Sequence, residues 1–176
     1  METFCYHPFY CEENIWHLSQ DPTLSAEQKY VVFISNKDKT CAMWHMKASA
    51  GEDHPIIWDY HVILVAKAPD WQVYDLDSRL GYPIEPEKYL RESFNDKWAS
   101  SYAPKFRVIG TALFLEYFSS DRSHMIHQGH QVPYEPPPWP KIFNGKESNL
   151  WRFVDMSDPF IGDVLDLDQF KTFLDL

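Results

Sequence analysis

The chain has 176 residues, a formal net charge of −10, and 7 Trp, 10 Tyr and 12 Phe residues. This length is typical of one domain with a substantial core, and the aromatic content excludes a disordered chain. The acidic balance, without any run rich in lysine or arginine, argues against nucleic acid and against an anionic membrane surface as partners. We therefore predict a single domain over residues 1–176 that binds neither.

Two features of the sequence concern its compartment. The first residues lack the charged segment and apolar run of a signal peptide, and no apolar run is long enough to span a membrane. The three cysteines, Cys5, Cys11 and Cys41, are odd in number and irregularly spaced, which is typical of a reducing compartment rather than of a disulfide framework. The sequence predicts a cytoplasmic protein and leaves the nucleus open.

The first predicted element is a helix that begins near Cys11 and ends before Asp21. Cys11, Ile15 and Leu18 have the i, i+4, i+7 spacing of a buried face, and the glutamates at positions 12 and 13 suit the positive end of the helix dipole. A thiol at a helix N-terminus is favoured as thiolate. Cys11 is therefore a candidate nucleophile, although most cysteines are small buried hydrophobic residues.

The rest of the chain alternates between strand and helix patterns. It predicts strands at residues 30–35, 41–46, 56–66, 71–77 and 106–109, and helices at residues 87–99, 111–118 and 166–174. The first two strands are predicted to pair as a hairpin, and the polar, proline-rich residues 119–148 predict a long surface loop. This order predicts an α+β fold with a largely antiparallel sheet.

The two central strands carry a histidine and several aspartates. With a three-residue loop at residues 67–69, His61 lies directly opposite Asp75, with Cβ atoms about 4.5–5.5 Å apart. An odd-numbered loop keeps both side chains on one face, whereas an even-numbered loop would separate them. The alternative is that His61 is an ordinary core histidine whose ring is hydrogen-bonded by a neighbouring side chain. Asp59 and Asp77 project from the same face, so the alternation does not single out Asp75.

A thiol at a helix N-terminus and a histidine–aspartate pair are the components of cysteine-dependent acyl transfer. In this chemistry His61 accepts the proton of Cys11 and later donates one to the leaving group, while Asp75 orients the imidazole. The backbone N–H of Cys11 is one candidate donor to the oxyanion.

The chain also contains six short segments in a distinctive order: residues 10–16 (YCEENIW), 57–62 (IWDYHV), 73–77 (VYDLD), 105–109 (KFRVI), 120–125 (SDRSHM) and 135–138 (EPPP). In this order and spacing they resemble the protein N-terminal glutamine amidohydrolases of eukaryotes. The resemblance implies an α/β fold related to transglutaminases and papain-like cysteine hydrolases. It also implies hydrolysis of the side-chain amide of N-terminal glutamine to glutamate, with release of ammonia, ahead of arginylation in the N-degron pathway.

The resemblance assigns the catalytic residues as Cys11, His61 and Asp75, and it alone selects Asp75 among the aspartates. Phe9 stands where members of that family commonly have a second cysteine. The implied partners are proteins and peptides with N-terminal glutamine, and no cofactor is expected. Recognition of a chain terminus requires a group that senses the α-ammonium. Glu12, Asp59 and Asp77 are candidates by their nearness to the catalytic residues, and Asp121 by its place in a matched segment; Glu12 and Asp59 are preferred.

Other signals leave alternatives open. His124, His127 and His130 recur every third residue, but this is not the spacing of a closed zinc site, so no metal is predicted. Residues 135–140 (EPPPWP) suit a ligand of a proline-binding module, which makes a non-enzymatic adaptor an alternative function. The same triad also suits a transglutaminase-like acyl transferase or a papain-like protease. Nothing in the sequence requires a second subunit, so a monomer is expected.

Overall fold

The computed structural model describes residues 4–94, 99–126 and 134–176. In order along the chain, these ranges contain α1 (Cys11–Ser19), β1 (Gln28–Ser35), β2 (Cys41–Met43), β3 (Ile56–Trp58), β4 (His61–Lys67), β5 (Trp71–Tyr74), α2 (Pro86–Ser93), β6 (Lys105–Gly110), α3 (Thr111–Tyr117), α4 (Leu150–Val154), β7 (Asp163–Leu165) and α5 (Leu167–Phe173). Within the described part of the chain, no helix is long and apolar enough to cross a membrane.

The strands form a central sheet of five strands in the order β5-β4-β1-β6-β7, and β2 and β3 form a separate two-stranded sheet. Every strand pair is antiparallel, which confirms the predicted sheet type. The mixed composition of helices and antiparallel strands confirms the α+β class.

Two apolar layers follow from the alternation of side chains on β1 and β4. Val31, Phe33, Val62 and Leu64 pack on one face against α1, α3 and α4. The intervening residues pack on the other face against α2, α5 and β2; they include Val32, Ile34, Ile63 and Val65. Because both faces are covered, β1 and β4 are continuous apolar runs rather than half-polar ones.

The central hairpin differs from the prediction by two residues. Lys67 pairs with Trp71 and Leu64 with Tyr74, so the loop is residues 68–70 rather than 67–69. The loop still has an odd length. A shift of two residues leaves every side chain on its predicted face, since the side-chain period of a strand is two.

Two other strand predictions are wrong. The predicted strand at residues 56–66 is broken at Asp59, whose carboxylate accepts the N–H of Tyr60 and whose carbonyl accepts the hydroxyl of Ser35. Its two parts belong to different sheets. β2 pairs with β3 instead of returning to β1, so the predicted hairpin of the first two strands does not form.

The helices agree with the prediction at α1, α3 and α5, within a residue or two of their ends. The predicted helix at 87–99 is shorter, because α2 ends at Ser93, and residues 95–98 lie outside the described ranges. The short elements α4 and β7 were not predicted from the sequence. In the described part of 119–148, the chain forms one short 3₁₀ turn, Ser123–Met125, within otherwise irregular structure.

Candidate active site

The candidate nucleophile Cys11 is the first residue of α1 and packs against β4. Its apolar neighbours along the helix, Ile15 and Leu18, are both 1 % exposed, and Cys11 itself is 9 % exposed. The backbone N–H of Val62 hydrogen bonds to its sulfur. Since Val62 directly follows His61, this contact places the thiol beside the start of the strand that carries the candidate base.

The thiol of Cys11 is less acidic than its position on the helix predicts. Burial raises its pKa well above the ordinary value, and the charges of Glu12 and Asp77 raise it further, while the hydrogen bond from Val62 lowers it. The prediction of a lowered pKa considered only the helix N-terminus. In the folded protein the loss of hydration and the neighbouring carboxylates outweigh the helix dipole.

His61 and Asp75 form a buried pair as predicted, although Asp75 directly follows β5 and the observed register does not place it directly opposite His61. Nε2–H of His61 donates to Oδ1 of Asp75 at 2.9 Å, and the two side chains are 2 % and 0 % exposed. Asp75 also accepts the hydroxyl of Tyr89 at 2.8 Å and the backbone N–H of Asp77 at 3.0 Å. The ring of Trp58 stacks on His61 at a centroid distance of 5.8 Å. Imidazole and carboxylate are therefore held from several sides.

The environment shifts the pKa values of the two groups in opposite directions. Burial alone would lower the pKa of His61, but the charge and hydrogen bond of Asp75, followed by the charges of Asp77 and Glu12, raise it above its ordinary value. Burial alone would raise the pKa of Asp75, but His61 and the hydroxyl of Tyr89 hold it below its ordinary value. The opposite directions are those of an ion pair.

Asp77 is a third carboxylate near the imidazole. Its Oδ1 accepts the hydroxyl of Tyr6 at 2.8 Å, a contact that ties the N-terminal segment to this end of the sheet. Burial and the charge of Asp75 raise the pKa of Asp77, against the opposite effect of His61.

His61, Asp75 and Asp77 are also the one group of three metal-ligating side chains, within the described ranges, whose ligand atoms lie within 4.8 Å of one another. Both oxygens of Asp75 are already engaged by His61 and Tyr89, which favours a hydrogen-bonded network. The absence of a metal requirement stays a prediction, and His127 and His130 lie outside the described ranges.

Glu12 lies immediately beside the thiol and is completely buried. Its Oε2 accepts the hydroxyl of Tyr60 at 3.0 Å and lies 3.6 Å from the sulfur of Cys11. Its Oε1 lies 3.2 Å from Nε2 of His124, but the two atoms are not oriented as a hydrogen bond. The sequence predicted Glu12 as a site residue from its position next to Cys11, whereas His124 stood out only through a metal-like spacing and as part of the matched segment 120–125.

Glu13 is the second completely buried carboxylate of this turn, and it anchors the proline-rich segment. Arg122 donates to both of its oxygens at 2.8 Å, and Nε1–H of Trp139 donates to Oε2 at 2.7 Å. Arg122 also donates to the carbonyl of Trp139. The segments 120–125 and 135–140 therefore meet at the first turn of α1, next to Cys11.

The remaining predicted residues have different surroundings. Asp59 is exposed, and its carboxylate accepts the N–H of Tyr60 in the turn before β4. Its contact with substrate stays a prediction. Phe9, at the position of the expected second cysteine, stacks on Tyr134 at a centroid distance of 3.8 Å. In sum, the fold brings Cys11, Glu12, His61 and Asp75 together around the start of β4.

Comparison with known proteins gives a consistent result. Residues 6–174 match the family model described as N-terminal glutamine amidase. The chain is 39 % identical over 166 residues to a human protein named protein N-terminal glutamine amidohydrolase, covering 89 % of this chain and 80 % of the relative. Relatives of the same name from Caenorhabditis briggsae and Arabidopsis thaliana are 35 % and 34 % identical, covering 88 % of this chain in each case and 86 % and 76 % of the relatives.

Proposed function

The chain belongs to the N-terminal glutamine amidase family, and we propose that it hydrolyses the side-chain amide of N-terminal glutamine in peptides and proteins. The products are N-terminal glutamate and ammonia. The observation that carries this proposal is the buried His61–Asp75 pair beside the thiol of Cys11, in a chain whose relatives are named for this reaction.

The proposed reaction begins with attack of the Cys11 sulfur on the carboxamide carbon. His61 takes the thiol proton as the S–C bond forms, and Asp75 stabilises the resulting imidazolium. This timing fits the raised pKa of Cys11, because a thiol that is not ionised at rest needs a base at the moment of attack. Cys11 is the first residue of α1, where a backbone N–H has no acceptor within the helix, so the N–H of Cys11 is a suitable donor to the oxyanion.

The second half of the proposed reaction regenerates the enzyme. His61 gives its proton to the departing nitrogen, the C–N bond breaks, and ammonia leaves a γ-glutamyl thioester on Cys11. His61 then accepts a proton from water, whose oxygen forms the new bond to carbon as the C–S bond breaks. The sulfur is reprotonated, and the product carries a carboxylate. No cofactor takes part in this proposal.

The finer fold assignment, a papain- and transglutaminase-like hydrolase, is also a proposal. Its support is the arrangement of a cysteine at the start of a helix that packs on an antiparallel sheet, with the histidine on β4 and the aspartate directly after the end of β5. We also propose a monomeric protein of the cytoplasm, with the nucleus as a second location, that acts before arginylation. The three free cysteines in the described ranges are compatible with a reducing compartment.

The adaptor alternative finds less support in the geometry. A displayed proline-rich ligand requires a segment that is free to be bound. Residues 135, 136, 138 and 140 are exposed, but Trp139 is bound to Glu13 and Pro137 is buried. This arrangement favours residues 135–140 as a rigid part of the domain.

A peptide panel separates the proposed activity from the alternatives. Peptides with N-terminal glutamine, internal glutamine or N-terminal asparagine are incubated with the protein and analysed by mass, with free ammonia measured in parallel. Hydrolysis predicts a gain of about one mass unit in the first peptide alone. Transfer to an added amine would indicate a transglutaminase, and cleavage of the backbone would indicate a protease. The Cys11→Ala variant serves as the control, and an inactive wild-type protein would refute the proposal.

A further inference from the structure

Three buried polar atoms without hydrogen bonds lie together next to the thiol. They are Oε1 of Glu12 and both ring nitrogens of His124. The side chains of Glu12 and His124 are 0 % and 5 % exposed, so solvent does not replace the missing partners. Buried polar groups are normally hydrogen-bonded, and a cluster of exceptions calls for a missing partner. Oε1 is an acceptor and each ring nitrogen is an acceptor in one of its neutral tautomers.

We propose that Glu12, Tyr60 and His124 bind the α-ammonium of the substrate's N-terminal residue. This inference rests on the function proposed above. An ammonium group has three N–H donors, and this site offers three acceptors: Oε1 of Glu12, the hydroxyl oxygen of Tyr60 and an unprotonated ring nitrogen of His124. The hydroxyl of Tyr60 keeps its acceptor capacity while it donates to Oε2 of Glu12 at 3.0 Å.

The dimensions of glutamine agree with this placement. Four bonds separate the attacked carboxamide carbon from the α-nitrogen, which gives a span of about 5 Å in the extended side chain. Oε2 of Glu12 lies 3.6 Å from the sulfur of Cys11. A glutamine whose carboxamide carbon touches the sulfur can therefore bring its α-nitrogen to the carboxylate of Glu12.

The charge of Glu12 gives the contact a second consequence. A carboxylate so close to the sulfur opposes ionisation, and it is the largest cause of the raised pKa of Cys11 after burial; Asp77 and Asp75 act in the same direction. The α-ammonium would neutralise this charge when substrate binds and so ease transfer of the thiol proton to His61. An internal glutamine brings no cation, so it would leave the carboxylate buried and uncompensated. Selection of chain termini and activation of the nucleophile are thereby linked.

The competing carboxylates fit less well. Asp59 is exposed and is bound by the N–H of Tyr60, and water would weaken its attraction for an ammonium group. Glu13 is saturated by Arg122 and Trp139. Among these carboxylates, Glu12 combines complete burial, an oxygen without a hydrogen bond and contact with the sulfur.

The test compares two substrates that differ only in the α-ammonium. One is a peptide with N-terminal glutamine. In the other, a 4-carbamoylbutanoyl group replaces the glutamine residue, so that a hydrogen atom stands where glutamine has the α-ammonium. Ammonia release gives kcat and KM for each, and the ratio of the two kcat/KM values measures recognition of the ammonium. Because a hydrogen bond to a charged group changes binding by roughly 10- to 100-fold, Glu12→Gln should lower this ratio by about that factor.

Two further variants make the result specific. Tyr60→Phe keeps the ring and removes one acceptor, so it should lower the ratio by several-fold, and it provides a second test if Glu12→Gln does not fold. Asp59→Asn should leave the ratio unchanged. Equal losses on both substrates in Glu12→Gln and Tyr60→Phe, or a lowered ratio in Asp59→Asn, would overturn the inference. A wild-type protein that releases no ammonia from the glutamine peptide would instead refute the proposed function, so the two failures are distinguishable.

Discussion

Replacement of Arg122 by leucine tests the structural role of the buried ion pair with Glu13. The side chains of Glu13 and Arg122 are 0 % and 12 % exposed, and two contacts of 2.8 Å join them. Arg122→Leu leaves the carboxylate of Glu13 in the interior with the N–H of Trp139 as its remaining donor. Removal of one partner from a buried pair typically costs about 3–5 kcal/mol of unfolding free energy. Total stabilities are about 5–15 kcal/mol, so the effect is a large fraction of the total.

Arg152→Leu is the matched control. Arg152 donates to both oxygens of Asp158 at 2.9 and 3.2 Å, but its side chain is 55 % exposed. An exposed ion pair contributes little to stability, and the contact of this guanidinium with Phe160, 4.0 Å from the ring centroid, adds a further small amount. We expect a much smaller loss of unfolding free energy than in Arg122→Leu, part of which disappears at high salt because exposed charges are screened.

Urea denaturation followed by tryptophan fluorescence measures both variants. A loss in Arg122→Leu no larger than that in Arg152→Leu would refute the argument that burial determines the cost. The double variant Arg122→Leu with Glu13→Gln extends the test, because it removes the uncompensated charge. It should be more stable than Arg122→Leu alone. If the double variant is less stable than Arg122→Leu by as much as Glu13→Gln alone destabilises the wild-type protein, the two substitutions are independent and this reasoning is wrong.

Three further predictions concern the catalytic residues. Glu12→Gln should lower the pH midpoint at which iodoacetamide alkylates Cys11, as measured by peptide mass mapping. The reason is that the charge of Glu12 is, after burial, the largest cause of the raised pKa of this thiol. An unchanged midpoint would argue against this electrostatic effect. Asp75→Asn should lower kcat by roughly 10²–10⁴-fold, because the imidazole of His61 loses the carboxylate that orients it. It should also move the acid limb of the pH profile of kcat/KM to lower pH, since Asp75 is the main group that raises the pKa of His61. Tyr89→Phe should destabilise the protein by about 1–3 kcal/mol near neutral pH and by less near pH 3, as measured by urea titration. The hydroxyl of Tyr89 helps to hold the pKa of Asp75 low, and its contribution to stability is lost when the carboxylate of Asp75 is protonated. An equal cost at both pH values would contradict this linkage.

The sequence predicted the histidine–aspartate contact better than it predicted the details of the hairpin. The register was displaced by two residues, from a loop at 67–69 to a loop at 68–70. His61 and Asp75 nevertheless meet, because an even shift keeps the side chains of a strand on their faces and Asp75 directly follows the end of β5. Loop parity is thus a more robust prediction than loop position. The choice of Asp75 over Asp59 and Asp77 came from the family resemblance.

The errors in the fold have non-local causes. Residues 56–66 are apolar apart from Asp59 and His61, and apolar periodicity does not show that the chain changes sheet at Asp59. The pairing of β2 with β3 across a loop of more than ten residues competes with the shorter hairpin to β1. In the structure both positions beside β1 are taken by β4 and β6, so β2 pairs elsewhere.

The two glutamates after Cys11 show where sequence reasoning needs the fold. A local rule explains them as favourable charges at a helix N-terminus, and such residues are usually exposed. Both are completely buried, and Glu13 meets partners 109 and 126 residues away along the chain. Arg122 and Trp139 account for Glu13. Glu12 lacks an equivalent set of donors, and its charge opposes ionisation of the adjacent thiol. A residue so unfavourable to the free enzyme is consistent with a site that is completed by the cation of its substrate.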